Sequence, residues 1–373
     1  MEFRDLKRQY QLHKEQIDFA IMNTLAQAEF INGKPVRQLE EKLEEYVGVR
    51  NCIACANGTD ALLLALVTWG IGEGDAVFVP DFTFFSSAEV IPAIKATPVF
   101  VDVDENTYNI NIYSLERAIQ YVLDSTNLIP KVIIAVDLFG QPADYNWLRK
   151  IADKYGLLIL EDAAQGFGGK FEGKEACSFG DIAITSFFPA KPLGCYGDGG
   201  ALFTDCDEWA ETLRSLQVHG KGEDKYDNVR IGMNSRLDTL QAAVLNEKLS
   251  FFNEEIECCN KVAERYTELL RNDTKTPVIK PQVYSSWAQY TIRLKDDEQR
   301  TRVIKYLKEN GIPTAIYYKK PLHVQKALEQ YYIKELDCNI SEKICKTCVS
   351  LPMHPYLKDW EIEEICHKLL AML

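Results

Sequence analysis

The feature that most constrains the fold is an alternation of short apolar runs with longer intervals of helical character. Parallel strands need crossover connections, which are usually helices, so this alternation predicts βαβ units and a largely parallel sheet. We expect a large domain over residues 1–245 and a smaller domain over residues 246–373. Strands are predicted at Ile53–Ala56, Ala76–Val79, Pro98–Val101, Val132–Val136, Leu157–Leu160 and Ile182–Ser186, and then near Trp287–Leu294 and Thr314–Tyr318.

Two further segments bear on the organisation of the chain. A long helical run from Arg236 to about Asn272 is expected to connect the two domains. The segment Val218–Arg230 carries many charges and has no clear period. We interpret it as a mobile loop near the entrance of a site, with a charged surface loop as the alternative.

Lys191 stands in the glycine-rich segment Thr185–Gly200, directly after the apolar run Asp181–Ser186. Few other charges lie nearby in the sequence, so we expect its amine to be partly desolvated. Desolvation lowers the pKa of a lysine and makes it a usable nucleophile. Because a lysine in such a loop is more often simply solvated, this segment alone does not define a site.

An acid at the end of an upstream strand supplies a second feature. Glu161 and Asp162 follow an apolar run, and open α/β sheets bind ligands beyond the carboxyl ends of their strands. A pyridine ring draws electrons only while its nitrogen is protonated, and pyridoxal phosphate enzymes hold a carboxylate against that nitrogen. Asp162 is the candidate, because Glu161 would point to the opposite side of the strand. Gln165 is close enough in sequence to donate to the ring oxygen, although an Asp here is more often a cap or turn residue.

A strand-to-helix turn at Gly58 suggests a phosphate site. Glycine permits close backbone approach, and the free N–H groups of a helix beginning near Thr59 suit a phosphate. Ser186 could add a hydroxyl donor, and Phe84, which follows another predicted strand, could stack on the ring face. Each feature alone is more often structural, but their joint order favours a cofactor site.

The chain resembles the DegT/DnrJ/EryC1/StrS family of nucleotide-sugar aminotransferases over essentially its whole length. The finer similarity, carried by Cys55–Asp60 and Ser186–Gly200, is to enzymes that aminate C3 of a UDP-linked 2-acetamido-3-oxo sugar, particularly the 3-oxo-glucuronate. The resemblance implies a fold-type-I pyridoxal phosphate transferase, α/β in class, with a mostly parallel seven-stranded sheet flanked by helices and a smaller carboxyl-terminal α/β domain. The family resemblance is carried by Phe3–Tyr10, Ile31–Gly33, Asn57–Leu62, Glu161–Gln165, Met233–Ala243 and Ser350–Tyr356.

The same resemblance assigns roles around the cofactor pyridoxal 5'-phosphate. It implies that Lys191 binds the cofactor covalently and later moves a proton, while Asp162 pairs with the ring nitrogen. The other cofactor contacts that it implies are Gly58, Thr59 and Ser186 at the phosphate, Phe84 over the ring and Gln165 at the ring oxygen.

The resemblance also implies a homodimer with shared active sites, in which Asn234 reaches the phosphate of the neighbouring subunit. Arg236 would meet a carboxylate, either that of the amino donor, that of the uronate, or each in turn. A bidentate guanidinium suits a carboxylate. The alternative for Arg236 is a salt bridge with Asp238 at the start of a helix.

A second candidate substrate segment contains Tyr317, Tyr318 and His323. It falls where similar enzymes carry substrate-contacting residues, although they would have a histidine at position 317 and a proline at position 319. This departure bears on the identity of the sugar more than on the reaction type. Packing at a domain interface is the alternative for these three residues.

Composition excludes several classes of protein. The formal net charge of −13 disfavours nonspecific binding to nucleic acid or to an anionic membrane surface. The amino terminus lacks the apolar core of a signal peptide, so a cytoplasmic protein is expected. The 11 cysteines cannot all pair within one chain, which agrees with a reducing compartment. We expect no metal, because Cys52 and Cys55 of one Cys-x-x-Cys pair would face opposite sides of a strand.

The expected activity is transfer of an amino group from L-glutamate to C3 of a UDP-linked 2-acetamido-3-oxo sugar, for surface-polysaccharide or lipopolysaccharide biosynthesis. UDP-3-oxo-GlcNAc and a dTDP-linked oxo sugar are the alternatives within the class. Sugar dehydratases of the family carry histidine where Lys191 stands, so the lysine favours aminotransfer. From another class, a regulatory or binding protein that kept the fold is the competing hypothesis.

Overall fold

The computed structural model describes residues 1–224 and 226–373. The strands are β1 Asn51–Cys55, β2 Asp75–Pro80, β3 Thr97–Val101, β4 Ile129–Val136, β5 Leu158–Asp162, β6 Lys170–Phe171, β7 Lys174–Glu175, β8 Ile182–Ser186, β9 Gly200–Thr204, β10 Val283–Tyr284, β11 Tyr290–Arg293 and β12 Cys348–Leu351. Seven of them form the main sheet in the order β1-β9-β8-β5-β4-β2-β3. Only β9 pairs antiparallel with its neighbours, so the predicted mostly parallel sheet is confirmed.

Helices connect these strands and cover the sheet. They are α1 Leu6–Leu12, α2 Lys14–Gln27, α3 Lys34–Val47, α4 Gly58–Thr68, α5 Ser86–Ala93, α6 Ile112–Ser125, α7 Tyr145–Tyr155, α8 Asp207–Leu216, α9 Thr239–Leu249, α10 Phe252–Leu270, α11 Asp297–Glu309, α12 Asn339–Thr347 and α13 Asp359–Leu370. Each helix of the described chain is too short or too polar to cross a membrane.

Both faces of the sheet are buried, which explains why its strands are almost continuously apolar. Along β2, Val77 joins one apolar cluster with α4 and α5, whereas Phe78 joins another with α6 and α7. Cys52 and Cys55 of β1 also enter different clusters. This confirms that the two thiols lie on opposite faces of their strand.

The carboxyl-terminal part has its own small antiparallel sheet, in which β11 pairs with β12. Residues such as Tyr290 and Val349 from this sheet share a cluster with Tyr266 of α10 and Ile365 of α13. The division at residues 245 and 246 falls within the continuous helix α9. The two-domain division therefore remains a proposal, with the boundary placed inside a helix.

The structure corrects several details of the predicted elements. The long helical run predicted after Arg236 consists of two helices, α9 and α10, which are separated by Ser250 and Phe251. Thr314–Tyr318 is not a strand, since its only ladder contact is an isolated bridge from Ala315 to Ser350. Strand β9 is absent from the predicted strands, because it follows the glycine-rich segment and one of its two partners, β1, is distant in sequence.

The predicted loop Val218–Arg230 includes residue 225, which lies outside the described residues. Around it, Lys221 pairs with Asn228 and Val218 pairs with Asn234 through isolated bridges. The mobility of this loop stays a prediction.

Candidate active site

A cavity of about 700 Å³ lies beyond the carboxyl ends of β5 and β8. This is the edge where open α/β sheets bind ligands. The cavity brings together most of the residues singled out in the sequence, although they come from separate strands, turns and loops. Those that line it are Gly58, Thr59, Phe84, Asp162, Gln165, Ser186, Lys191, Tyr317 and Tyr318.

Asp162 ends β5 and is almost fully buried. Its Oδ2 accepts a 2.7 Å hydrogen bond from the Ser87 hydroxyl, and its Oδ1 accepts a 3.2 Å bond from the Ala164 N–H. Burial raises the pKa of Asp162, while Ser87 and the positive charge of Lys191 act in the opposite direction. Burial therefore raises the free energy of the ionised carboxylate, and a cationic partner in the cavity would stabilise it.

Lys191 lies on the loop after β8, where its N–H donates a 2.8 Å bond to the Phe188 carbonyl. Burial lowers the pKa of its amine, which matches the desolvation predicted from the sequence. Asp162 raises this pKa and the charge of Arg4 lowers it. The site thus pairs a desolvated amine with a desolvated carboxylate.

The amino terminus of α4 approaches the end of β8 very closely. A Cβ atom added to Gly58 would lie 2.9 Å from Cβ of Ser186, so no larger residue fits without displacement. Asn57 caps the helix by accepting a 2.8 Å bond from the Asp60 N–H. Thr59 Oγ1 lies 2.8 Å from Ser86 Oγ. Backbone N–H groups and hydroxyls are therefore gathered at one end of the cavity, an arrangement that suits an anion.

Gln165 is held in place by two hydrogen bonds. Its Oε1 accepts a 2.9 Å bond from the Phe139 N–H, and its Nε2 donates a 3.0 Å bond to the Tyr318 hydroxyl. Phe84, which is 52% exposed, has its ring centroid 6.3 Å from that of Tyr318. Gln165 and Tyr318 are thus held by hydrogen bonds at the cavity lining, whereas the ring of Phe84 is partly exposed to solvent.

Asn234 and Arg236 do not line this cavity. Asn234 is exposed, and its Oδ1 accepts a 2.8 Å bond from Nε of Arg236. Within the described chain Arg236 makes no ion pair with Asp238. A single subunit therefore does not bring these two residues to the site.

His323 also lies away from the cavity lining. It is 3% exposed, and its ring Nδ1 lies 2.8 Å from Oδ2 of Asp81. Cys338 Sγ approaches the same pair, so that the potential ligand atoms of the three residues lie within 4.8 Å of one another. The Asp81 carboxylate already accepts bonds from both the ring and the main-chain N–H of His323. The hydrogen bonds between His323 and Asp81 therefore account for the buried carboxylate without a metal ion.

Sequence reasoning missed two residues that touch the central pair. Ser87 lies in the segment that follows β2, yet nothing in its spacing indicates a bond to Asp162. Arg4 donates from Nη2 to the Lys191 carbonyl at 2.8 Å, across 187 residues of sequence. Its position in the amino-terminal motif Phe3–Tyr10 was the only available signal.

Comparison with known proteins gives a consistent result. The model of the DegT/DnrJ/EryC1/StrS aminotransferase family matches residues 11–370. UDP-2-acetamido-2-deoxy-3-oxo-D-glucuronate aminotransferase of Pseudomonas aeruginosa is 44% identical over 367 residues, which cover 98% of each chain.

Two solved structures are similar over nearly the whole chain. A DegT DnrJ EryC1 StrS aminotransferase from Brucella abortus has a TM-score of 0.97 and 48% identity, covering 100% of this chain and 99% of its own. NtdA from Bacillus subtilis, solved with the bound cofactor PMP, has a TM-score of 0.88 and 28% identity, covering 96% of this chain and 82% of its own.

Proposed function

The chain belongs to the DegT/DnrJ/EryC1/StrS aminotransferase family, and we propose that it moves an amino group from L-glutamate to C3 of UDP-linked 2-acetamido-3-oxo-glucuronate. That it is a sugar aminotransferase with pyridoxal phosphate as cofactor follows from its family and its structural neighbours. The observation that carries the proposal is that Lys191 and Asp162 line one cavity at the carboxyl edge of the sheet.

The residues present fit pyridoxal phosphate. The close approach of Gly58 to Ser186 leaves a cradle of N–H and hydroxyl groups at one end of the cavity. The buried Asp162 carboxylate, whose pKa is raised by burial, needs a cation to stay ionised. When bound, the cofactor supplies an aldehyde that takes up the amino group and a protonated pyridine ring that draws electrons from the reacting carbon.

Asp162 would hold the proton on the ring nitrogen of the bound cofactor through its carboxylate. Ser87 and the Ala164 N–H fix the direction of that carboxylate by donating to its two oxygens. Since each donor stabilises the ionised form, they offset part of the cost of burial. Asp162 thus maintains the charge that makes the ring an electron sink.

Lys191 would hold the cofactor through its amine, and the same amine would accept and return a proton at the reacting substrate carbon. Its amine can accept that proton only in the neutral form, which burial favours by lowering its pKa. We assign the phosphate to Gly58, Thr59 and Ser186, and the exposed ring face to Phe84. Gln165 retains a second amide N–H for the ring oxygen, because Tyr318 occupies only one.

A second copy of the chain completes the site in this proposal. α2 exposes apolar side chains, including Phe19 at 74% and Met22 at 63%, and such contiguous surfaces mark contacts with other proteins. The exposed Ile31 follows this helix and forms an isolated bridge with Asp238, beside the segment that carries Asn234 and Arg236. In this proposal, subunits pair through this surface, and Asn234 and Arg236 of the partner subunit act at the neighbouring cavity.

The choice of sugar depends on the group at C6. The described residues that line the cavity include no arginine, and in this proposal Arg236 of the partner subunit meets the uronate carboxylate. A bidentate guanidinium would then distinguish the carboxylate from the hydroxymethyl group of UDP-3-oxo-GlcNAc. The name of the Pseudomonas aeruginosa relative supports the uronate, and polysaccharide biosynthesis is the proposed use of the product.

Product analysis tests this function directly. The purified protein, loaded with pyridoxal phosphate, is given L-glutamate with UDP-linked 3-oxo-glucuronate or with UDP-3-oxo-GlcNAc, and the products are identified by mass spectrometry. We expect a 3-amino uronate to form with the higher kcat/KM. Preferential amination of UDP-3-oxo-GlcNAc would reject the uronate, and failure to aminate either sugar would reject the proposed substrate class.

A further inference from the structure

The amino-terminal segment reaches the loop that carries Lys191. Nη2 of Arg4 donates a 2.8 Å hydrogen bond to the Lys191 carbonyl and lies 3.4 Å from the Pro192 carbonyl. A guanidinium that contacts two successive carbonyls restricts the orientation of both peptide units. Arg4 is therefore in direct contact with the main chain of the proposed cofactor-binding lysine.

The segment that carries Arg4 is itself anchored. The Phe3 carbonyl accepts a 3.1 Å bond from the Met353 N–H, and the Phe3 ring makes an edge contact with Tyr317 at 6.3 Å between centroids. Further along, Nη1 of Arg8 donates a 3.1 Å bond to the Tyr356 carbonyl. These contacts hold the Arg4 backbone on both sides, so its side chain is presented to the lysine loop from a fixed position.

Among residues 1–224 and 226–373, no acid forms a contact ion pair with Arg4. Both of its hydrogen bonds go to main-chain carbonyls, and Glu255 acts on it only at longer range. Burial lowers the pKa of Arg4, but an arginine remains protonated at any ordinary pH. A permanent positive charge therefore lies beside the lysine loop in a partly desolvated setting.

We propose that Arg4 is a positioning residue for Lys191, fixing its main chain through the Lys191 carbonyl and presenting a permanent positive charge to its amine. The inference rests on the proposed function in one respect, since it matters to catalysis only if Lys191 binds the cofactor. The geometry itself does not depend on that assignment.

The charge acts in a defined direction on the Lys191 amine. Asp162, at the end of β5, favours the protonated amine, while burial and Arg4 favour the neutral one. Asp198, on the same loop as Lys191, is the other charged residue that lines the cavity. Because Arg4 counteracts Asp162, a larger fraction of Lys191 is neutral at a given pH than the carboxylate alone would allow.

A second cation holds the far end of the same loop. Nζ of the buried Lys248 donates a 2.7 Å bond to the Gly194 carbonyl, and burial lowers the pKa of Lys248 to about 8. The loop thus keeps one anchor when Arg4 is replaced. This allows the effect of the Arg4 charge to be measured on a loop that is still held in place.

The test measures the reactivity of the Lys191 amine, not turnover. The full-length protein is freed of cofactor and pulsed with acetic anhydride across pH 6–10, and acetylation of Lys191 is followed by peptide mass spectrometry with the exposed Lys7 as internal reference. R4Q removes the charge and keeps an amide donor, and R4K keeps the charge. R37Q is the control, because Arg37 is exposed on α3 and makes none of the contacts that hold Arg4. Thermal unfolding of each variant verifies that it is folded.

We expect R4Q to reduce the acetylation rate of Lys191 at pH 8 by roughly three- to tenfold and to move its titration to higher pH. R4K and R37Q should stay close to the wild-type curve. An R4Q curve that coincides with wild type, or an equal loss in R4K or R37Q, would overturn the proposal. These outcomes do not depend on whether Lys191 binds pyridoxal phosphate, which is tested separately by locating the cofactor on the chain.

Discussion

The Ser87 hydroxyl donates a 2.7 Å hydrogen bond to Oδ2 of Asp162, so the proposed partner of the ring nitrogen is itself oriented by a buried donor. The two residues come from different βα units, α5 after β2 and the end of β5. Both side chains are almost fully buried at the lining of the cavity. Buried hydrogen bonds to charged groups contribute about 1.5–3 kcal/mol.

Replacing Ser87 by alanine should therefore reduce turnover. Without the hydroxyl, the pKa of Asp162 rises further above its usual range, because burial is opposed by one donor fewer. A higher pKa keeps Asp162 protonated to higher pH, so the acid limb of the kcat profile should move upward. We expect kcat at pH 7 to fall by roughly tenfold, as measured in steady-state assays over pH 5–9.

Ser86→Ala is the matched control for this change. Ser86 is the adjacent residue, but its hydroxyl lies against Thr59 and donates to Glu89 instead of Asp162. It should weaken cofactor binding at most and leave the acid limb of the profile where it is. A profile for Ser87→Ala that overlays that of wild type would contradict the proposed role of Ser87.

Gly58→Ala should weaken binding of pyridoxal phosphate. The added Cβ would lie 2.9 Å from Cβ of Ser186, so either the helix start or the end of β8 must move. We expect the dissociation constant to rise about tenfold or more, as measured by fluorescence titration of the cofactor-free protein. Gly72→Ala is the control, because its nearest neighbour would be the Ile94 carbonyl at 3.7 Å. Equal affinities in the two variants would be incompatible with a phosphate cradle at Gly58.

Two buried acids behind the site predict a specific dependence of stability on pH. Burial raises the pKa of Glu161 to about 7 and that of Asp137 well above its usual range; the charge of Glu161 raises the pKa of Asp137 further, whereas Asp137 lowers that of Glu161. In the unfolded chain both would ionise near pH 4. Between about pH 5 and 7 the folded state therefore binds more protons than the unfolded state does. As the pH rises through that range, these two acids lower the free energy of unfolding.

Asp137→Asn should reduce this loss of stability between pH 5 and 7. An asparagine can still accept from the Ala143 N–H and the Tyr145 hydroxyl through its oxygen, while its amide takes the place of Oδ2, which has no hydrogen-bond partner within the described chain. The variant should gain about 1 kcal/mol over wild type between pH 5 and pH 7 in urea unfolding. Asp144→Asn, which breaks only the ion pair with Lys280, should show no such trend. A constant difference from wild type across the range would contradict the raised pKa of Asp137 as the cause.

Mixed dimers test whether Arg236 acts across subunits. In a hybrid of K191A and R236A subunits, one cavity combines an intact Lys191 with an intact Arg236 only if the arginine comes from the partner. We expect random mixing to restore roughly a quarter of wild-type activity toward the uronate substrate, since half of the dimers would be hybrids with one complete site. Activity no higher than that of the parent variants would place Arg236 in its own subunit's site or outside any site.

The sequence was sufficient for the fold and for the local parts of the site. The strands that carry Asp162 and Ser186 are apolar runs of clear type, and Gly58 starts a helix directly after such a strand. Their convergence follows from the rule that ligands lie at the carboxyl edge of a parallel sheet. These residues were therefore predictable from patterns within a few neighbouring positions.

Other parts of the site depend on contacts that no local pattern encodes. Arg4 meets Lys191 only because the amino-terminal segment packs beside Tyr317 and Met353. Similarly, β9 lies between β1 and β8 in the sheet, and β1 is far from it in the sequence. His323 pairs with Asp81 instead of facing the cavity, since a buried carboxylate needs two donors and His323 supplies both.

Locating the bound cofactor tests the central claim most directly. The protein is loaded with pyridoxal phosphate and reduced with borohydride, and its peptides are sequenced by mass spectrometry. Lys248 is the alternative attachment site, because among the lysines in the described part of the chain it is the other buried one whose pKa is lowered, and it contacts the same loop. The account predicts a phosphopyridoxyl group on Lys191 alone, absent from the K191A variant; a group on Lys248 or another lysine, with Lys191 unmodified, would contradict it.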